Sequence, residues 1–179
     1  LKDIARTFSI DDLSKLEEFS KYVSHLIGGV VVSSRVASEL SLSFQTVKKY
    51  FNALEKSYLI SLVPPFYTSK VKEVTKNPKV YFVDTGLRNA VAGEFPVTLE
   101  NQGKLFENYV FTELLKTGVS IKYWRTQGGA EVDFVVEKDN SLIPIEVKLS
   151  VSELRVEKSL RSFIHKYKPA KAIVVFYTG

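Results

Sequence analysis

Apolar positions recur at helical spacing through the first third of the chain. Leu16, Phe19, Val23 and Leu26 form one stripe behind Asp11 and Asp12, which are good acceptors for a helix start. This predicts a helix from about residue 11 to Ile27, ended by Gly28-Gly29. Ser34 opens a short second helix through Leu40, and Ser41-Leu42 makes a tight turn. Ser43 caps a third helix to about Ser57, with Phe44, Val47, Phe51 and Leu54 facing inward. Tyr58 to Val63 reads as a strand stopped by Pro64-Pro65, and Lys79 to Val83 as its return. Two helices joined by a short turn and followed by a β-ribbon make the pattern of a winged helix-turn-helix.

The rhythm changes after a transitional stretch, Asp84 to Gln102, that holds a short helix near Leu87–Ala92. Beyond it the pattern predicts a helix over 103–117 and strands over 121–125, 131–137 and 142–148. A helix from a Ser152 cap to Tyr167 follows, with Val156, Leu160, Phe163 and Tyr167 as its stripe, and then a strand over 172–176. The runs VDFVV, LIPIEV and AIVVF are apolar at consecutive positions, as in strands covered by helices on both faces. The reading is an α/β chain of the α+β kind, with a helical and winged-helix domain over 1–95 and an α-β-β-β-α-β domain with a mixed central sheet over 96–179.

Composition narrows the chemistry. The 179 residues contain no Cys, so disulfides, thiolate metal sites and Cys nucleophiles are excluded. Two His, His25 and His165, are too few for a zinc cluster. The net charge of +5 permits a nucleic-acid partner without demanding one. No segment approaches the roughly 20 apolar residues of a membrane helix, and no leader pattern stands at the start. The absence of Met makes Leu1 an unnatural start, so the chain reads as an internal or C-terminal piece of a longer, cytoplasmic protein with no membrane partner.

Charges inside two apolar strands carry the chemistry. Asp133 lies within VDFVV, and Glu146 and Lys148 lie at the end of LIPIEVK. Two residues apart on a strand means one face, so Glu146 and Lys148 project together and the neighbouring strand can set Asp133 beside them. Adjacent carboxylates in an apolar setting need a cation, and either Lys148 or Mg²⁺ can supply it. Asp133, Glu146 and the Val147 carbonyl suit a hard divalent ion, Mg²⁺ or Mn²⁺, that activates water against a phosphodiester. Lys148 then serves as a fixed cation, and Glu107 on the preceding helix is a further ligand if that helix packs beside the strands. Glu131 is assigned to a salt bridge with Arg125.

Asp followed by Glu-x-Lys on the next strand, within α-β-β-β-α-β, resembles the PD-(D/E)xK nuclease superfamily. The segments PKVYFVDTGLRNAVAG, GKLFENYVFTEL, YWRTQGGAEVDFVV and IPIEVKLS resemble the C-terminal region of AAA-type ATPases of archaea and bacteria, the domain catalogued as DUF4143. The resemblance spans roughly residues 30–179. It implies a nuclease-like domain with Glu107, Asp133, Glu146 and Lys148 in the catalytic positions, behind a winged helix and an N-terminal P-loop ATPase. Val132 stands where the superfamily's Pro precedes its Asp. No G-x-x-x-x-G-K occurs, so ATP belongs to the missing ATPase domain. On the third helix Gln45, Thr46, Lys48, Lys49 and Asn52 suit phosphate and base-edge contacts with DNA, and Lys70, Lys72, Lys76 and Lys79 add basic density to the wing. The expected function is a DNA-binding, Mg²⁺-dependent phosphodiesterase module of an AAA-type ATPase. The alternative is a catalytically silent DNA- or protein-binding platform or assembly domain for that ATPase. A homo-oligomer is compatible with either case.

Overall fold

The computed structural model describes residues 1–95, 98, 101–138, 141–151 and 156–178. The chain forms two compact units, each built from two stretches of sequence. The first comprises Leu1–Leu62 and Asn77–Val97, and the second Val63–Lys76 and Thr98–Gly179. The architecture is mixed α and β, with a two-stranded sheet and a four-stranded mixed sheet.

The first unit begins with α1 (Lys2–Thr7), a helix that no periodicity announces, and α2 (Leu13–His25). Asp12 caps α2 by accepting from the Lys15 N–H at 2.9 Å. Next come α3 (Ser33–Glu39) and α4 (Phe44–Lys56), joined through Ser41 in the left-handed region. Ser43 caps α4 through the Thr46 N–H, as expected; α3 starts behind Val32 with no side-chain cap. The core joins Leu16, Phe19 and Val23 of α2 to Val47, Phe51 and Leu54 of α4, with the Phe19 and Phe51 rings edge to face at 4.8 Å. Phe44, expected inward, is exposed. It sits in the first turn of α4, ahead of the stripe that reaches α2. Strands β1 (Ile60–Val63) and β2 (Lys79–Phe82) pair with each other, and Gly28 to Val31 runs along β2. Helix α6 (Thr85–Ala92) is capped by Asp84 and ends at Gly93, whose φ of 74° is a conformation that a side chain would strain. Arg88 of α6 is buried and donates to the Ser24 carbonyl at the end of α2 and to Glu94.

The two strands of the expected wing are present, but the chain between them is not a loop at its tip. Residues Val63–Lys76 belong to the second unit, where Pro65 bridges Tyr123 in parallel. They carry α5 (Lys70–Thr75), where sequence spacing showed only a basic stretch. Lys79, expected as surface charge, is buried at the start of β2.

The second unit continues with α7 (Gln102–Lys116), β3 (Ile121–Arg125), β4 (Glu131–Lys138), β5 (Ser141–Ser150), α8 (Lys158–Tyr167) and β6 (Ile173–Thr178). The strand order is β3-β4-β5-β6, antiparallel except for the parallel β5–β6 pair. The expected Ser152 cap lies outside the described residues; α8 starts behind Glu157, and Val156 is exposed rather than part of its stripe. Helix α8 packs on β4 and β5, where Leu160 and Phe163 join Phe66, Trp124, Val132 and Val135 in one core. Helix α7 covers the opposite face, with the Phe111 ring near that of Phe134. The AIVVF run was expected to be covered on both faces. Instead β6 is an edge strand with Val174 and Phe176 in part exposed.

Candidate functional site

One irregularity in β4 sets the position of Asp133. Ile121 pairs with Val136 and Lys122 with Val135, but Trp124 pairs with Val132. The pair Asp133 and Phe134 therefore faces Tyr123 alone, which makes a β-bulge. The bulge lets Val132 and Val135 share one core although they are three apart, and it turns Asp133 out of the regular alternation. Phe134 pairs with Ile145 in the β4–β5 ladder. One step beyond, the Asp133 carboxylate replaces a ladder acceptor: the Val147 N–H donates to its Oδ2 at 2.8 Å.

On β5 the alternation holds. Leu142 packs toward α8, so Glu146 and Lys148 project on the α8 face, as period two requires. Glu146 is only 5% exposed. The Lys148 ammonium sits 2.9 Å from Glu146 Oε1 and 3.1 Å from Glu157 Oε2. Burial works to lower the Lys148 pKa, but hydrogen bonds and charge from Glu146 and Glu157 outweigh it and hold the value above the ordinary lysine range. Glu157, just ahead of α8, is the partner that sequence reading missed. Only the crossover from β5 to β6 brings it back to Lys148, and no spacing encodes that.

Glu107 is half-buried on α7, which packs on the Phe134 side of the sheet, away from the face bearing Glu146 and Lys148. Among the described residues no group of three or more His, Cys, Asp and Glu gathers to hold a metal ion. Asp133 on β4 and Glu146 on β5 are donors of the kind that Mg²⁺ or Mn²⁺ take, ions held by one or two carboxylates and completed by water or phosphate oxygens. Glu131 pairs with Arg125 at 3.6 Å, as expected.

The surface of α4 is partly committed within the protein. Gln45, Lys48 and Asn52 are exposed at helical spacing. The Thr46 hydroxyl lies 2.8 Å from Ser43 Oγ, and Lys49 Nζ donates to the Ser9 carbonyl at 2.6 Å. Lys48 Nζ rests over the Phe44 ring at 4.8 Å. In the second unit the buried Glu73 of α5 accepts from Lys122 Nζ at 2.8 Å and from the Tyr67 N–H at 3.2 Å.

Among known proteins, the chain is similar to an uncharacterized protein of Mycobacterium tuberculosis strain H37Rv, 28% identical over 160 residues that cover 86% of this chain and 36% of the relative. An uncharacterized protein of Haemophilus influenzae is 27% identical over 164 residues, 86% of this chain and 38% of the relative. An uncharacterized protein of Methanocaldococcus jannaschii is 23% identical over 179 residues, 95% of this chain and 38% of the relative. The chain thus spans little more than a third of the curated relatives it matches. No solved structure matches. Residues 102–179 match the model for a domain of unknown function, DUF4143, and residues 1–98 match that for a second, DUF8612, so the chain belongs to the DUF8612 family and carries a DUF4143 region after it.

Proposed function

We propose that this chain is the DNA-acting part of a longer AAA-type ATPase, with a PD-(D/E)xK-type phosphodiesterase module in its second unit and a winged-helix contact with DNA through α4. The observation that carries the reading is the Asp133 bulge. It sets one carboxylate against the N–H of Val147, the residue between Glu146 and Lys148 on β5. Bulges that re-aim a polar side chain beside a pair of charges are common at active sites. In this reading Asp133 and Glu146 hold a divalent cation, which when bound supplies a polarised water and neutralises phosphate charge. Lys148 keeps its proton and offers a fixed positive charge to the phosphodiester. ATP belongs to the remainder of the longer protein, which works in the cytoplasm.

The test pairs Mn²⁺ calorimetry with cleavage of labelled single-stranded, duplex and branched DNA. Asp133→Asn keeps an oxygen to accept from Val147, so its melting temperature should stay within a few degrees of the parent. Its cleavage rate should drop at least 100-fold. A second reading, a silent DNA-binding platform, draws on the Lys148 ammonium already seated between Glu146 and Glu157. DNA binding with neither Mn²⁺ uptake nor cleavage would favour it.

A further inference from the structure

The carboxyl ends of the parallel pair β5–β6 carry an arrangement that the reading above leaves unused. Lys148 pairs with Phe176 and Glu146 with Val174, so these four side chains share the α8 face of the sheet. Helix α8 packs on β4 and β5, and on the edge strand β6 Phe176 is 42% and Val174 37% exposed. The same end of the crossover holds an open cleft of about 590 Å³ lined by Val156, Glu157, Lys158, Ser159 and Arg161. Lys158 and Arg161 are exposed cations there, and Arg161 is steadied by a bond to the Val156 carbonyl at 2.8 Å.

We propose that this face binds an unpaired stretch of DNA, with a nucleobase stacked on Phe176 and the flanking phosphates on Lys158 and Arg161. The inference rests on the nucleic-acid reading and adds a substrate class, single-stranded or frayed DNA. Duplex DNA keeps its bases stacked on one another, so a lone exposed ring gains nothing from it. An aromatic ring next to cations is the pairing that single-strand binders use. The apolar character of the ring decides against a purely ionic contact, and the adjacent cations decide against an apolar protein partner.

The experiment measures anisotropy of fluorescent twelve-residue oligothymidylate and of a twelve-base-pair duplex with the 179-residue chain, in EDTA so that cleavage plays no part. The parent should bind the single strand more tightly than the duplex. Phe176→Ala should weaken single-strand binding about tenfold, in line with the loss of one stacked base, and leave duplex binding unchanged. Phe176→Tyr should restore it. Lys158→Ala with Arg161→Ala should flatten the salt dependence of single-strand binding. Equal affinities for the two DNAs, unmoved by Phe176→Ala, would overturn the inference while leaving the nuclease reading intact. Binding of neither DNA would remove both. If sedimentation instead shows a dimer that Phe176→Ala dissociates, with DNA binding unchanged, a second copy covers β6 and the inference is wrong.

Discussion

Glu73 shows how far a single residue can depart from its pattern. In KVKEVT the two valines look like the inward face, yet Val71 and Val74 are exposed and the glutamate is buried. The reason is Lys122, 49 residues away on β3, which is itself only 11% exposed in its side chain and lies over the Phe66 ring. No local rule reveals a partner at that separation, whereas Glu146 and Lys148 were legible because period two needs only their spacing. Burial works to raise the Glu73 pKa, but Lys122, the Tyr67 N–H and Lys70 outweigh it, and the net direction is down. A carboxyl lowered in the folded state stabilises the fold above its unfolded value, near 4.5, and that contribution is lost as pH falls through the lower folded value. Urea midpoints of the parent should therefore fall below about pH 4.5 faster than those of Glu73→Gln. At neutral pH Glu73→Gln strands the Lys122 charge and should cost about 3 kcal/mol. Adding Lys122→Met should return most of it, because removing both charges also removes the desolvation cost. An additive double variant would show that the pair carries no such coupling.

At the scale of elements, caps and strands were the readable parts. Ser43 and Asp12 stand one residue ahead of their helices and accept the amide they were expected to accept, and β3 covers the five residues its pattern predicted. Helix α5, the β4 bulge and the open face of β6 were not readable, because each is decided by what packs against it rather than by its own sequence. Ser43→Ala should cost about 1 kcal/mol by leaving the Thr46 amide without its side-chain acceptor, read as a lower denaturant midpoint at unchanged slope. Lys48 and Lys49 of α4 looked equivalent in sequence and differ in the structure, since Lys49 is held by the Ser9 carbonyl and Lys48 rests on the Phe44 ring. If α4 meets DNA, Lys48→Ala should reduce the slope of log K against log salt for duplex by about 0.9, the share of one phosphate. Lys49→Ala should change that slope far less. Equal effects would mean that Lys49 leaves Ser9 on binding.

For the whole chain, the change of rhythm near residue 95 lies close to one of the places where the two units divide, and it gave no sign that Val63–Lys76 belongs to the second unit. A fragment of 102–179 lacks Phe66, which packs against Phe163 and Tyr167, and lacks Glu73, which neutralises Lys122. Losing a buried Phe alone costs about 3–5 kcal/mol, comparable with the whole stability of a domain this small. The fragment should bind a hydrophobic dye and melt without a sharp transition. Joining residues 63–76 ahead of 98–179 through a glycine-serine linker should restore a cooperative melt, and a sharp melt of the bare fragment would contradict this account. Heredity meets the same thread of chain. The two domain models divide the sequence between residues 98 and 102, whereas the folded material divides at two other places as well as near there. A crossover at residue 100 would give a new second half a Phe66 and a Glu73 shaped for the old Trp124 and Lys122. Lineages that shuffle these halves must therefore carry fourteen residues of the first as part of the inheritance of the second.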